Sequence, residues 1–182
     1  MSEDTIDRFT KLINDFDARV KGAGSDKWDN PAPCENWKAR DIVAHVAANL
    51  NRITAGVQGQ EPREIGPDED IVSAWNTAKD GTLNALQTAD LSQTMEGPMG
   101  PMPAEQLIGR IFATDVLVHT WDLARATGGD EQLDQFAIEG AYSGLKPLDA
   151  MIRQRGVFGP RIDSPEGADL QTQFLNFTGR TV

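Results

Sequence analysis

The stretch DVLVHTWDLAR, residues 115–125, decides the fold of this chain. Asp115 and His119 are four residues apart, Asp122 follows three residues later, and apolar residues fill most of the remaining positions. Residues three and four apart share one face of a helix, so the stretch predicts an apolar helix with one polar stripe. Unpaired polar groups are costly to bury. Such a helix at the centre of a bundle therefore needs polar partners from a neighbouring helix.

Helical spacing of apolar residues recurs on both sides of this stretch. It predicts helices over about residues 4–21, 36–55, 70–88, 104–127 and 130–153, with a short helix near 168–177. Asn36 is the predicted N-cap of the second helix, and Gly128 is predicted to end the fourth. Residues 94–103 hold three prolines and two glycines, which exclude a helix there. Because few stretches alternate like strands, the predicted fold is all-α, a mostly antiparallel helical bundle with an additional short C-terminal helix.

Composition narrows the class of protein. The 182 residues suit a single domain over 1–182, and 28 acidic against 17 basic side chains give a net charge of −11. A chain this acidic repels phosphate backbones and anionic membranes, so nucleic acid and membrane are excluded as partners. No apolar run approaches the roughly 20 residues of a membrane helix, and the acidic N-terminus lacks the features of a signal peptide. With Cys34 as the single cysteine, we expect a cytoplasmic protein without disulfides.

The other histidine of the chain, His45, stands on a second polar stripe. On the second predicted helix, Asn49 and Arg52 fall within the same narrow arc as His45. Two stripes on two helices can meet in a bundle and offer two imidazoles and a carboxylate, with room for water or substrate. That is the open ligand set of a catalytic divalent metal site. We therefore predict His45, Asp115 and His119 as metal ligands.

Other interpretations of these residues stay open at this point. An Asp–His pair at this spacing also arises by chance, and a lone helix histidine is often only a satisfied polar residue. Asp122 either orients a ligand from behind or pairs with Arg125 across one turn. Cys34 precedes a helix start, where a helix dipole favours a reactive thiolate, but it also suits packing under a loop. The proline-rich segment contains Met95, Met99 and Met102. These methionines either form a loop that binds a soft metal or simply pack on the bundle.

Three motifs carry a resemblance to a known family. WDNPAPCENW at 28–37, DIVAHV at 41–46 and DVLVHTWDLARATG at 115–128 resemble a branch of the DinB-like superfamily. This branch is related to the N-terminal domain of mycothiol-dependent maleylpyruvate isomerase, and the likeness extends to residues 158–160 and 171–180. It implies a DinB-like four-helix bundle with a metal at one end.

In the isomerase the metal is held by a His, a Glu and a His. The matching positions here are His45, Asp115 and His119, so the middle ligand is one methylene shorter. We expect no counterpart of the isomerase's second domain, and the substrate-binding residues of that domain are not carried over. The resemblance thus implies the same three ligands that the spacing predicts, and it does not extend to the isomerase reaction itself.

The resemblance also implies a function. The first hypothesis is a thiol-dependent transferase or isomerase, in which a divalent metal activates a low-molecular-weight thiol such as mycothiol or bacillithiol. Zinc is the first choice of metal and nickel the alternative. Asn49 and Asp122 would orient the ligands, Arg52 would bind substrate, and no catalytic residue is assigned. The predicted partners are the thiol and an electrophilic substrate, with a homodimer as an open alternative for the oligomeric state. A non-catalytic metal-binding or sensing module is the second hypothesis, and a helical interaction protein with a vestigial site is the third.

Overall fold

The computed structural model describes residues 2–66, 68–97, 100–154 and 156–182. The chain divides into two compact units, Met1–Asp130 and Glu131–Val182. The first unit holds α1 (Ser2–Gly22), α2 (Ala39–Gln58), α3 (Ile71–Leu86), the strands β1 (Thr94–Gly97) and β2 (Gly100–Pro103), α4 (Ala104–Gln106), a π-helical turn (Leu107–Phe112) and α5 (Ala113–Thr127). The second unit holds α6 (Gln135–Leu145), a 3-10 turn (Lys146–Leu148), α7 (Asp149–Gln154) and α8 (Leu170–Phe177). The single domain over residues 1–182 stays a prediction.

Four long helices form the bundle of the first unit. α2 packs against α3 and α5, and α1 packs against α5 and α3. Their apolar faces meet in a core whose largest fully buried side chains include Phe9, Phe16, Ile42, Leu50 and Trp75. The predicted all-α bundle is confirmed. None of the helices in the described ranges has the length and hydropathy needed to cross a membrane.

The start of α2 differs from the prediction. Asn36 has φ 63°, in the left-handed region, and the helix begins three residues later at Ala39. The N-cap is Lys38, whose backbone N–H donates to a carboxylate oxygen of Asp41 at 2.8 Å. The predicted Asn36 cap is therefore wrong, because Asn36 is used to turn the chain ahead of the helix. The end of α5 follows the prediction, because Gly128 ends this helix in the left-handed conformation (φ 74°).

The proline-rich segment after α3 is a small hairpin. Thr94 pairs with Pro103 and Gly97 with Gly100, in antiparallel register. The exclusion of a helix holds, but the strand pairing had no signal in the sequence because prolines lack the N–H that a strand ladder uses. Met95 is buried, and Met99 lies outside the described residues, so the alternative of a three-methionine loop stays untested.

The predicted helix over 104–127 is one helical run with a π-helical turn near its start. Leu107–Phe112 has the wider π geometry, and α5 continues from it without a break. A π turn carries one residue more than an α turn and rotates the next part of the helix about its axis. Gly109 lies in this turn, where a Cβ would come within 3.0 Å of the methyl group of Thr5 on α1. The turn directly precedes Asp115 and so sets the direction of its side chain.

The second unit has a small core of its own. Ile138, Ile152 and Phe174 are buried, and the ring of Tyr142 packs on Phe174. The predicted fifth helix begins later than expected, because Asp134 caps α6 by accepting from the N–H of Ala137 at 2.8 Å. It is also interrupted by the 3-10 turn at Lys146–Leu148. The predicted short helix near 168–177 is confirmed as α8.

Candidate metal centre

The three predicted ligands converge in the first unit. Oδ1 of Asp115 lies 3.1 Å from Nε2 of His45 and 3.5 Å from Nε2 of His119. One potential ligand atom from each residue lies within 4.8 Å of the others. His45 comes from α2, and the other two come from one face of α5. The structure thus brings the two stripes together as the sequence predicted, while metal binding itself stays a prediction.

A chain of side chains from α2 supports the carboxylate of this centre. Nδ2 of Asn49 donates to Oδ2 of Asp115 at 2.9 Å and lies 3.1 Å from Nε2 of His45. Arg52 donates from Nη1 to Oδ1 of Asn49 at 2.6 Å. Asn49 therefore fixes the orientation of Asp115, and Arg52 fixes the orientation of Asn49.

Arg52 also lines an open cavity of about 570 Å³. Ala44 and Ala48 of α2 form part of its wall, and residues 61–66 also line it. Within the described residues, the guanidinium of Arg52 pairs with no carboxylate. Arg52 therefore lies between the open cavity and Asn49, and Asn49 in turn contacts Asp115.

Asp122 holds the other nitrogen of His119. Oδ2 of Asp122, which is fully buried, lies 2.9 Å from Nδ1 of His119. An Nδ1–H donated to this carboxylate leaves Nε2 facing Asp115 and His45. The predicted orienting role of Asp122 thus fits the geometry. The guanidinium of Arg125, the alternative partner, lies over the ring of Trp121 at 4.7 Å.

The electrostatics of the cluster favour one excess proton on His119. Burial lowers the pKa of His119, but hydrogen bonds to Asp122 and Cys34 and the charges of Asp115 and Asp122 raise it to about 10. For Asp115, burial raises the pKa, and the hydrogen bond with His45 and the charges of both histidines lower it to a net value below the usual range. In the absence of metal the cluster is thus a protonated imidazole between two carboxylates. A metal would replace the proton on Nε2.

The segment before α2 brings two further residues to His119. The ring of Trp37 lies 5.8 Å from that of His119 and nearly parallel to it (15°), and 5.2 Å from that of His45. Cys34 places Sγ 3.4 Å from Oδ2 of Asp122. The segment is fixed to the end of α5 because Nδ2 of Asn30 donates to the carbonyl of Ala126 at 2.9 Å.

The sequence left Cys34 as either a packed or a reactive thiol, and it placed neither Cys34 nor Trp37 against His119. Residues in an irregular loop have no periodicity that assigns them a face. The sequence therefore held no signal for these two contacts.

Comparison with known proteins gives one family and two relatives. The family model described as "Mycothiol maleylpyruvate isomerase N-terminal domain" matches residues 9–124, a range that contains all three candidate ligands. Two Mycobacterium tuberculosis proteins named only as uncharacterized, one from strain CDC 1551 and one from strain H37Rv, are 29% identical to this chain over 171 residues. The match covers 92% of this chain and 92% of each relative. No solved structure gives a significant match.

Proposed function

This chain belongs to the family of the mycothiol maleylpyruvate isomerase N-terminal domain, and from that premise we propose that it is a metal-dependent enzyme acting with a low-molecular-weight thiol. His45, Asp115 and His119 would hold a divalent ion, with zinc preferred and nickel the alternative. The reaction would be a thiol transfer or an isomerisation of an electrophilic substrate. The observation that carries the proposal is the convergence of these three side chains within 4.8 Å.

The donor set fits a divalent ion with an open position. A tetrahedral zinc ion about 2.1 Å from two ligand atoms holds them roughly 3.4 Å apart. The separations of 3.1 and 3.5 Å between Oδ1 of Asp115 and the two Nε2 atoms lie on either side of that value. Closed structural zinc sites use four protein ligands, whereas the set found around Asp115 in the described residues has three. The shorter side chain of Asp, in place of the family's Glu, still reaches both imidazoles.

The residues around the ligands have distinct tasks in this proposal. Asp122 accepts the Nδ1 proton of His119 and so keeps Nε2 directed at the centre. Asn49 keeps one carboxylate oxygen of Asp115 occupied, which leaves Oδ1 for binding. The indole of Trp37 covers the His119 ring and limits access of water from that side. When bound, a divalent ion strongly favours the thiolate form of a coordinated thiol, which is the nucleophilic form.

Arg52 is the group that we assign to substrate binding. It is exposed at the wall of the cavity beside α2, and a guanidinium binds a carboxylate through two parallel hydrogen bonds. Because Arg52 also contacts Asn49, a bound acidic group would lie close to the support of Asp115. The electrophilic substrate would therefore carry a carboxylate.

Metal analysis combined with a thiol-transfer assay tests the proposal. The purified protein should contain about one divalent ion per chain, and should transfer mycothiol to an electrophile only in the metal-loaded form. Asp115→Asn should lose both the metal and the activity. Asp80→Asn, an exposed carboxylate on α3, is the matched control and should keep both. Stoichiometric metal without any thiol transfer would favour the non-catalytic binding module, and absence of metal in the purified protein and after zinc addition would contradict both.

A further inference from the structure

A second group of potential ligands lies on the opposite side of the His119 ring. Sγ of Cys34, Nδ1 of His119 and Oδ2 of Asp122 all lie within 4.8 Å of one another. Asp122 is 2.9 Å from the ring nitrogen and 3.4 Å from the sulfur. The function proposed above places the ion on Nε2 of His119 and makes no use of the thiol. We propose that Cys34, His119 and Asp122 form a second, sulfur-containing metal site that takes soft divalent ions such as cadmium.

The donor chemistry of this second set differs from that of the first. The first set offers two nitrogens and one oxygen, whereas the second replaces an imidazole with a thiol. Thiolates bind soft metals such as cadmium in preference to hard ones. The 2.9 Å between Nδ1 and Oδ2 needs to widen by only about half an ångström to accept a tetrahedral zinc-sized ion between them. Cadmium is larger, and Cys34 is only half-buried and lies in the loop before α2, outside the helices of the bundle.

The two sets exclude each other because they share one neutral imidazole. An ion in the first set binds Nε2 and leaves the ring proton on Nδ1, donated to Asp122. An ion in the second set binds Nδ1, releases both the Nδ1 proton and the Cys34 thiol proton to solvent, and leaves the remaining ring proton on Nε2, which lies 3.5 Å from Oδ1 of Asp115. With an ion in the first set, Asp122 accepts the ring proton and orients His119. With an ion in the second set, Asp115 has this role. The protein then holds one ion per chain, on the side that suits the metal.

Cadmium titration of metal-free protein tests this arrangement, with the near-ultraviolet absorption of the sulfur–cadmium bond as the readout. The wild type should develop this absorption up to one cadmium per chain. Cys34→Ser should abolish it, and circular dichroism should show an unchanged helix content. His45→Ala removes a ligand of the first set only and should keep the full absorption. Absence of the band in the wild type, or its survival in Cys34→Ser, would overturn the proposal.

Competition with zinc separates a shared site from a thiol that binds cadmium by itself. In the wild type, excess zinc should remove the sulfur–cadmium absorption, because both ions need the same ring. In His45→Ala, zinc should compete at least tenfold less well. If zinc and cadmium bind together, at two ions per chain with an undiminished band, the sharing of His119 is wrong. The proposal does not depend on the thiol chemistry suggested above, because wild-type protein that binds no zinc would still show the cadmium band and lose it in both Cys34→Ser and His119→Ala.

Discussion

Asp17 and Asp115 are two carboxylates placed inside the same bundle, and they are held in different ways. Oδ1 of Asp17 accepts from Nε1 of Trp75 at 2.8 Å and lies 3.3 Å from the ammonium group of Lys79, while Oδ2 lies 2.6 Å from that of Lys21. Asp115 faces two imidazoles and an amide. Lysines stay charged at physiological pH, whereas imidazoles exchange a proton for a metal.

This difference separates a structural carboxylate from the one that we propose as a metal ligand. Burial raises the pKa of Asp17, and the hydrogen bonds with Lys21, Trp75 and Lys79 lower it to a net value below the usual range. The partners of Asp17 are thus complete. The partners of Asp115 can be replaced by an ion, and its side chain is 26% exposed against 9% for Asp17. The identity of the partners, more than burial, is therefore the reason for proposing Asp115, and not Asp17, as a metal ligand.

The comparison is tested most strongly at Asp115. Asp115→Asn should lower zinc affinity by more than about 100-fold, because even an outer partner of a ligand is worth 10–100-fold. Asp17→Asn should leave zinc affinity unchanged. Isothermal titration or chelator competition on both variants measures this, and equal losses in the two would abolish the distinction.

Asp17→Asn should instead destabilise the fold by about 3 kcal/mol, because the mostly buried Lys79 loses its nearer carboxylate and keeps only the exposed Asp80 at 3.7 Å. The sign follows from the lowered pKa: the Asp17 contribution is present above the unfolded carboxyl value of about 3.9 and is lost as pH falls below it. Urea unfolding at neutral pH and at acidic pH measures both effects. If the variant were as stable as wild type at neutral pH, the charge of Asp17 would add nothing to the free energy of unfolding.

Zinc affinity should rise with pH, because the metal must displace a proton from His119, whose pKa is raised to about 10. One displaced proton gives about a tenfold gain per pH unit from neutrality up to about pH 10. In the metal-free protein the same proton stabilises the fold below the unfolded value of about 6.5, and this stabilisation disappears as pH rises through about 10. Chelator competition at several pH values gives the slope. Asp17→Asn should show the same slope, and a pH-independent affinity would refute the proton competition.

Asp122→Asn should weaken zinc binding by about 10–100-fold while leaving some binding in place. The amide keeps the shape of the carboxylate but removes the charge that fixes the His119 ring. Cys34→Ser, which alters the other neighbour of Asp122, is the control and should keep zinc affinity within a few-fold. A larger loss of zinc affinity in Cys34→Ser than in Asp122→Asn would show that Asp122 is not the residue that orients His119.

Arg52→Ala has the smallest expected effect. It should raise the KM for a carboxylate-bearing substrate by about tenfold, from the loss of a charged hydrogen bond, and leave metal content unchanged. Arg161→Ala, an exposed arginine of the second unit, should change neither. A fall in kcat with an unchanged KM would contradict substrate binding by Arg52 and leave only its support of Asn49 and Asp115.

The sequence was sufficient for the helices and for the meeting of two helix stripes. Helical periodicity assigns a face to every residue of α2 and α5, which is why His45, Asp115 and His119 could be paired from their spacing. It assigns none to residues 30–38, so the contacts of Trp37 and Cys34 with the cluster were missed. The Asn36 cap failed because asparagine suits both a helix cap and a left-handed turn, and local sequence does not distinguish the two.

The π-helical turn at Leu107–Phe112 lets one turn of the helix hold an extra residue. Deleting one residue within this turn would let the helix close into ordinary α geometry and leave the direction of α5 nearly unchanged, because a π turn carries one residue more than an α turn. Closing the turn into α geometry at unchanged length would instead rotate α5 by about 100° relative to α4. A chain one residue shorter between Ala104 and Ala113 would therefore direct the Asp115 carboxylate as this chain does, with a plain α-helix in place of the π turn.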